Sequence, residues 1–398
     1  MLPRVKIFFE NGALGKVVTP ADGVLGLLCT GATVSNTFAL ATPYIVRNLD
    51  MVAALGITAS NNPSIFKIAS EYYAEAGNGA ELWIMAFADT VKISDMVDVA
   101  DAAKGKALIN AANGRLRGLI VSRKPAGGYT PTITNGLDAD VALALTKASV
   151  LADWARESKY APVFIAIEGY AYSGNPVALA DLKTNTKNTI SILIGDTVVS
   201  SKQAAVGVLA GRIASIPVQR NIGRVKDGPV KAPEIYIYDK PAEQADVESI
   251  HNKGYITFRT FIGRSGYFFS DDPTATADTD DYSSLTARRT IDKAYRIAYD
   301  TMLEELLDEV PVTSTGTLQL PIVKSWEAKV ENAIASGMTA NGELSADVTD
   351  ANDRGVKCYI DPDQNIISNS ILDVNIRVRP FGYPRYINVY LGFQVISA

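Results

Sequence analysis

Residues 371–379, Ile-Leu-Asp-Val-Asn-Ile-Arg-Val-Arg, alternate without a break. Leu372, Val374, Ile376 and Val378 fall on one face, and Asp373, Asn375, Arg377 and Arg379 on the other. A side-chain period of two marks a half-buried strand. Residues 386–396, Tyr-Ile-Asn-Val-Tyr-Leu-Gly-Phe-Gln-Val-Ile, repeat the pattern, with Ile387, Val389, Leu391, Phe393 and Val395 on the apolar face. This run reaches almost to Ala398. Terminal segments fray unless something ties them down, so an apolar strand there requires a sheet to join. That sheet belongs either to the same chain or to another copy.

The first residues mirror the last. Val5, Ile7 and Phe9 alternate with Arg4, Lys6 and Phe8, and the turn dipeptide Asn11-Gly12 follows. Both ends therefore read as β arms. Glycines (Gly12, Gly15) stand behind the first arm, and Pro380, Gly382 and Pro384 stand before the last strand. These segments suit hinges between a paired strand and a moving domain.

Between the arms the period changes. Val24–Cys29 and Leu82–Phe87 are apolar runs, and 117–123 (carrying Leu119-Ile120-Val121), 162–168 and 190–194 read as further strands with apolar centres. Helical stretches near 48–56, 62–77, 94–103, 139–158 and 202–214 separate them. Such strands, alternating with helices, predict a sheet covered on both faces. Pro and Gly residues from Pro217 to Pro241 mark a connecting region. Beyond it come a strand or hairpin over 254–270 and a long helix over 283–309, with Ile291, Ala294, Tyr295, Ala298, Met302 and Leu306 as its apolar stripe. A second helix near 321–336 and a strand at 356–360 lead to the terminal strands. The expected organisation is a β arm and linker (1–19), an α/β domain with a mixed, largely covered sheet (20–240), an α+β domain (241–379) and a C-terminal hinge and β arm (380–398).

The chain has 398 residues, 47% of them hydrophobic and 20% charged, so it is ordinary globular material with a sizeable core. A net charge of −5 gives no expectation of nucleic-acid binding. No apolar run has the length of a membrane span, and the first ten residues lack an apolar signal core, so folding in the cytoplasm is expected. Cys29 and Cys358, far apart in sequence, read as two reduced core residues.

The usual catalytic patterns are missing. His251 is the single histidine and precedes Gly254, where it suits a helix end better than a triad. Gly15-Lys16-Val17 and Gly105-Lys106-Ala107 both fail as phosphate-binding loops at the residue after lysine. Asp271, Asp272, Asp278, Asp280 and Asp281 supply oxygen ligands in number, but not in the order of a calcium loop. They read as a solvated loop whose Asp281 caps the next helix. No catalytic residue, cofactor or metal is expected.

The 283–309 helix breaks a local rule. Arg288, Arg289 and Lys293 lie in its first half and Glu304 and Glu305 near its end, against the helix macrodipole. Two readings stand side by side: a helix that docks on a charged partner or neighbour, or one whose charges are compensated by the acids at 278–281.

Taken together, the order of parts resembles the tail sheath proteins of contractile phages and phage-like contractile injection systems. The resemblance rests on the arm Pro3–Glu10, the entry Thr19-Pro20-Ala21-Asp22-Gly23-Val24, the central α/β domain, the strand Gly254–Thr260, the long helix with its companion, and Asn375-Ile376-Arg377-Val378-Arg379-Pro380. Gly263-Arg264-Ser265-Gly266 is a loose counterpart of the family's glycine-rich segment. The resemblance implies a sheath-type C-terminal domain and a homo-oligomeric helical sheath of six-subunit rings around an inner tube protein. Baseplate and tail-terminator or cap proteins would be its further partners, with no nucleic acid and no membrane insertion. It further implies arms that add strands to neighbouring subunits, contraction powered by a metastable assembly, and a place in a phage virion or an extracellular or cell-associated particle. Two other classes stay open on residues alone: an α/β enzyme or ligand-binding protein with a site at the strand C-termini, and a closed-ring baseplate or capsid-type subunit.

Overall fold

A computed structural model describes residues 21–350 and 352–391. The chain divides into two compact units, 1–300 and 301–398.

The first unit is built on a six-stranded sheet. Its strands are β1 (Leu25–Thr30), β2 (Tyr44–Val46), β3 (Leu82–Phe87), β4 (Gly118–Val121), β5 (Phe164–Glu168) and β6 (Ile190–Leu193). They lie in the order β2-β3-β1-β4-β5-β6, parallel except for β2, which runs antiparallel at the edge. β1, β3, β4, β5 and β6 are buried at every position, in keeping with their largely apolar sequences.

Helices α1 (Leu49–Ala54), α2 (Pro63–Ala76), α3 (Gly105–Ala112), α4 (Ala139–Lys159) and α5 (Val206–Ser215) cover the sheet. Gly26 of β1 lies against Leu108 of α3, while Gly31, just past β1, lies against Ile65 of α2. The two faces of the strand thus meet different helices. α2 and α5 approach closely because α5 carries glycine where they cross: a Cβ on Gly211 would sit 2.6 Å from the Tyr72 carbonyl oxygen.

The expected break at 240 does not separate compact units. Tyr255, Ile256, Phe258 and Phe269 belong to the core of the first unit, and Ile256 bridges to Leu193 of β6. The hairpin of β7 (Phe258–Phe261) and β8 (Arg264–Phe269) therefore stays with the α/β sheet. The helix expected at 94–103 is a single turn, Ile93–Met96, and α3 takes over from Gly105. The long helix α6 spans Leu285–Leu303, ending before 309, and Leu307 has a left-handed backbone (φ 66°).

In the second unit, α7 (Leu320–Gly337) packs on a hairpin of β9 (Val356–Ile360) and β10 (Val374–Val378). Pro321 stands in the first turn of α7, where its missing N–H costs nothing. Leu318, Val323 and Ile360 form its buried centre, with Trp326, Leu372 and Val374 against them.

Candidate functional site

In an open parallel sheet a ligand sits beyond the strand C-termini, where the strand order reverses. Here that point lies beside β1 and β4. The protein's own side chains fill it. Thr30 and Lys124 close the gap, the Thr30 Oγ1 donating to the Lys124 carbonyl (2.9 Å) and accepting from its N–H (2.7 Å). The Asn62 side chain accepts from Ala32 N–H (2.7 Å) and donates to its carbonyl (3.0 Å). Glu168, fully buried at the end of β5, accepts from Ser122 Oγ (2.8 Å) and from the Arg123 N–H. Gln203 reaches the same cluster, donating to Ser64 Oγ (3.2 Å) and the Arg123 carbonyl (3.3 Å). The adjoining cavity, lined by Gly169, Asp196, Gln203 and Tyr238 among others, measures about 10 Å³, room for about one water.

Burial pushes the Glu168 carboxyl up to about 8, with the nearby Asp196 adding to it; hydrogen bonds from Arg123, Ser122 and Ala204 oppose the shift. An unfolded glutamate titrates near pH 4.3. Between about pH 4.3 and 8 the folded chain therefore holds the extra proton, and this group's contribution to stability falls as pH rises. Glu168→Gln, neutral throughout, is expected to flatten that slope and to raise stability at pH 9 by about 2 kcal/mol. Urea unfolding at pH 5, 7 and 9 checks this; parallel profiles for the two proteins would refute it.

The charges of α6 are spent inside the first unit. Arg288 pairs with Asp292 one turn on, and both are buried. Arg289 donates to the carbonyls of Ile213 (3.1 Å) and Ile216 (2.9 Å), at the end of α5. Lys293 pairs with Asp22 at 2.6 Å, and Arg296 donates to the Pro162 carbonyl. Arg288, Arg289 and Lys293, expected as tube or neighbour contacts, thus each have partners within the first unit. The compensating acids are Asp22 and Asp292 rather than those at 278–281. Asp272 accepts from the Thr286 N–H (2.7 Å) and Ser284 Oγ from the Ala287 N–H (3.2 Å), so they cap α6 in place of Asp281. Asp278 pairs with Lys183 (2.7 Å), and Asp280 accepts from Asn188 (3.2 Å) and the Tyr282 N–H (2.7 Å). Among the described residues no group of His, Cys, Asp or Glu is arranged to hold a metal ion. Glu304 and Glu305 both pair with Lys329 of α7, Glu304 at 2.8 Å.

The C-terminal hairpin presents a different kind of site. β9 and β10 pair antiparallel from Val356↔Val378 to Ile360↔Val374 and form a sheet of two strands. Two strands alone are marginal, and a free edge is a template for another strand. Past β10 the chain runs through Pro380, Gly382 and Pro384 without regular structure. Ile387, Val389 and Leu391 follow, also without secondary structure, 75%, 80% and 96% exposed. The strand expected from 386 is thus not paired within 386–391. Its pattern of side chains is intact, but among the described residues no strand pairs with it. Val5, Ile7, Phe9, Gly12, Gly15, Phe393 and Val395 lie outside the described residues.

Two family models match the chain: the DUF2586 N-terminal domain over residues 2–273 and the DUF2586 C-terminal domain over 281–397. The chain belongs to the DUF2586 family. The boundary between its two models falls just ahead of α6. Among solved structures, similarity extends over 99% of this chain and 99% of a protein in the helical sheath of the anti-feeding prophage in its contracted state (TM-score 0.64, 13% identity). It also covers 99% of this chain and 98% of one in the contracted PVC sheath complex, an extracellular contractile injection system (TM-score 0.62, 13% identity). A sheath tail protein of Desulfitobacterium hafniense aligns with 94% of this chain and 100% of its own (TM-score 0.50, 9% identity). No curated protein matches in sequence. The fold is that of contractile sheath proteins, as the resemblance in sequence order implied.

Proposed function

We propose that this chain is the subunit of a contractile sheath. Copies stack as six-membered rings around an inner tube, and contraction drives the tube through a target envelope. The observation that carries this reading is the likeness to sheath proteins along virtually the full length of both chains. The C-terminal hairpin supports it: a two-stranded sheet and an exposed, alternating apolar segment in one chain are complementary halves of a strand exchange. Head-to-tail contacts of this kind build rings where the rotation closes and helical assemblies where it does not.

In this reading the arms at 1–19 and 380–398 join neighbouring subunits, and Gly12, Gly15, Pro380, Gly382 and Pro384 let the bodies move while strands stay paired. The work of contraction comes from a metastable extended state. A filled switch point at the sheet fits a body that transmits force, and no reaction is assigned to it. Partners are further copies of the chain, a tube protein, a baseplate and a terminal cap, in a phage virion or an injection particle assembled in the bacterial cytoplasm. No described helix is long and apolar enough to cross a membrane.

The purified full chain is expected to form tubes or stacked rings in negative-stain electron microscopy at micromolar concentration. A protein that stays monomeric at high concentration with both arms intact would overturn the reading. Single closed rings that never stack would point instead to a baseplate-type subunit.

A further inference from the structure

A small cavity of the first unit lies among Asp22, Arg117, Val218, Arg289, Asp292 and Arg296 and measures about 10 Å³. It admits a single guest about the size of a water molecule. Both of its acids already have a close cationic partner. Lys293 holds Asp22 at 2.6 Å, and Arg288 holds Asp292 through Oδ1. Arg289 gives its guanidinium to the carbonyls of Ile213 and Ile216.

Arg117 and Arg296 are less well served. Arg117, next to the start of β4, donates to the Gly114 carbonyl (2.7 Å), and its Nε stands 3.8 Å from Asp22, beyond hydrogen-bond reach. Arg296, on α6, donates to the Pro162 carbonyl. The Nε atoms of both arginines are buried, and neither has a hydrogen-bond acceptor. A buried donor without an acceptor is costly, more so on a charged group, and in a native fold it calls for a water or an ion. A guanidinium does not escape the cost by losing its proton. Burial, with Arg117 adding to it, pushes Arg296 down to about 10 against the pull of Asp292 and Asp22, so at neutral pH it is still a cation. Burial lowers Arg117 as well. Two like charges therefore act on each other in a place poor in water.

We propose that this cavity binds one small monovalent anion, of the size and charge of chloride, held by the Nε–H groups of Arg117 and Arg296. A water molecule would accept both hydrogen bonds and leave the charge as it is; a halide accepts them and offsets the charge. Size and charge narrow the class. Phosphate and sulfate are too large for a cavity of one water, and their second charge would be set against Asp22 and against Asp292, whose Oδ2 lacks a donor. The ion would tie together the residues ahead of β1, the start of β4 and the middle of α6, which are far apart in sequence. Its binding is therefore read as stability of the fold.

Urea unfolding of the full chain in sodium chloride and in sodium gluconate, at equal pH and ionic strength, tests the assignment; gluconate is too large to enter. A ligand present at about ten times its dissociation constant shifts the folding equilibrium about tenfold, and at least that gain is expected in about 0.15 M chloride. Arg296→Gln removes one of the two charges and is expected to cut the gain to about twofold or less. Equal stability of the parent chain in the two salts means that a water holds the donors and overturns the proposal. An equal gain in parent and variant means that chloride acts elsewhere and overturns it too. Calorimetric titration of chloride into the parent chain, dialysed against gluconate, is the second measure and decides alone if the variant does not fold. Saturable uptake of a single ion per chain supports the site, and absence of saturable binding overturns it. Neither result touches the sheath reading.

Discussion

An Arg289→Glu variant is expected to lose the fold of the first unit, not merely its ability to assemble. Arg289 is 4% exposed, and its guanidinium donates to the carbonyls of Ile213 and Ile216. Those carbonyls belong to the end of α5, where backbone acceptors have no partner in the helix and the macrodipole is negative. A carboxylate there faces oxygen with oxygen, in a place water does not reach. Breaking a buried charged arrangement from one side costs about 3–5 kcal/mol, and reversing the charge belongs at the upper end of that range. Domains are stable by about 5–15 kcal/mol in total, so the variant is expected to be largely unfolded or insoluble. Circular dichroism and thermal unfolding of the full chain measure this. Glu304→Lys is the contrasting case: that side chain is mostly exposed and ends at Lys329, so the transition is expected to move little. A folded Arg289→Glu protein with altered assembly would restore the reading of Arg289 as a contact for a partner.

The α6 charges show where sequence periodicity loses its grip. The stripe read from apolarity was Ile291, Ala294, Tyr295, Ala298. The residues the fold buries are Leu285, Thr286, Arg288, Arg289, Thr290, Asp292 and Ala294: Ala294 belongs to that stripe, but most of the others are polar or charged. Hydrophobicity does not register a face whose burial depends on partners such as Asp22 and the end of α5, remote in sequence. The sheet was legible for the opposite reason. Leu82–Phe87 is apolar throughout and Ile190–Leu193 is apolar but for Ser191, and such runs leave few alternatives to a covered strand. α3 was missed because it starts at a glycine and stops at Asn113 in a left-handed conformation, a short helix without strong punctuation at its start. Of the assembly site, the alternation at 371–379 and 386–396 was visible. The hold of Glu327 and Glu331 of α7 on the Ile360 and Cys358 N–H groups of β9 was not, because carboxylates binding backbone N–H groups leave no mark in sequence until the fold brings them together.

Removal of residues 386–398 is expected to leave both units folded and to abolish long assemblies. Within the described part of this segment, Ile387, Val389 and Leu391 are exposed and the backbone is unpaired, so the unfolding transition has little there to lose. In the assembly the same three side chains would leave water. Full burial contributes about 1.5–3 kcal/mol per side chain, hence roughly 5 kcal/mol or more for each arm before any main-chain hydrogen bond is counted. At 1.4 kcal/mol per tenfold, that is a loss of at least about a thousandfold in association constant at every junction. Sedimentation velocity and negative-stain imaging report the loss, and thermal unfolding reports the fold. Tubes that persist, or a truncated chain that no longer folds, would each refute the assignment of this segment to a neighbour. The alternation provides a finer control within the intact chain. Asp substituted at Val389 lies on the apolar face and is expected to act like the truncation, because a carboxylate would enter the buried layer. Asp substituted at Asn388 lies on the opposite face and is expected to leave assembly close to that of the parent chain. Equal effects at the two positions would mean that the segment joins its neighbour in some form other than a strand, since only a strand separates adjacent residues to opposite faces.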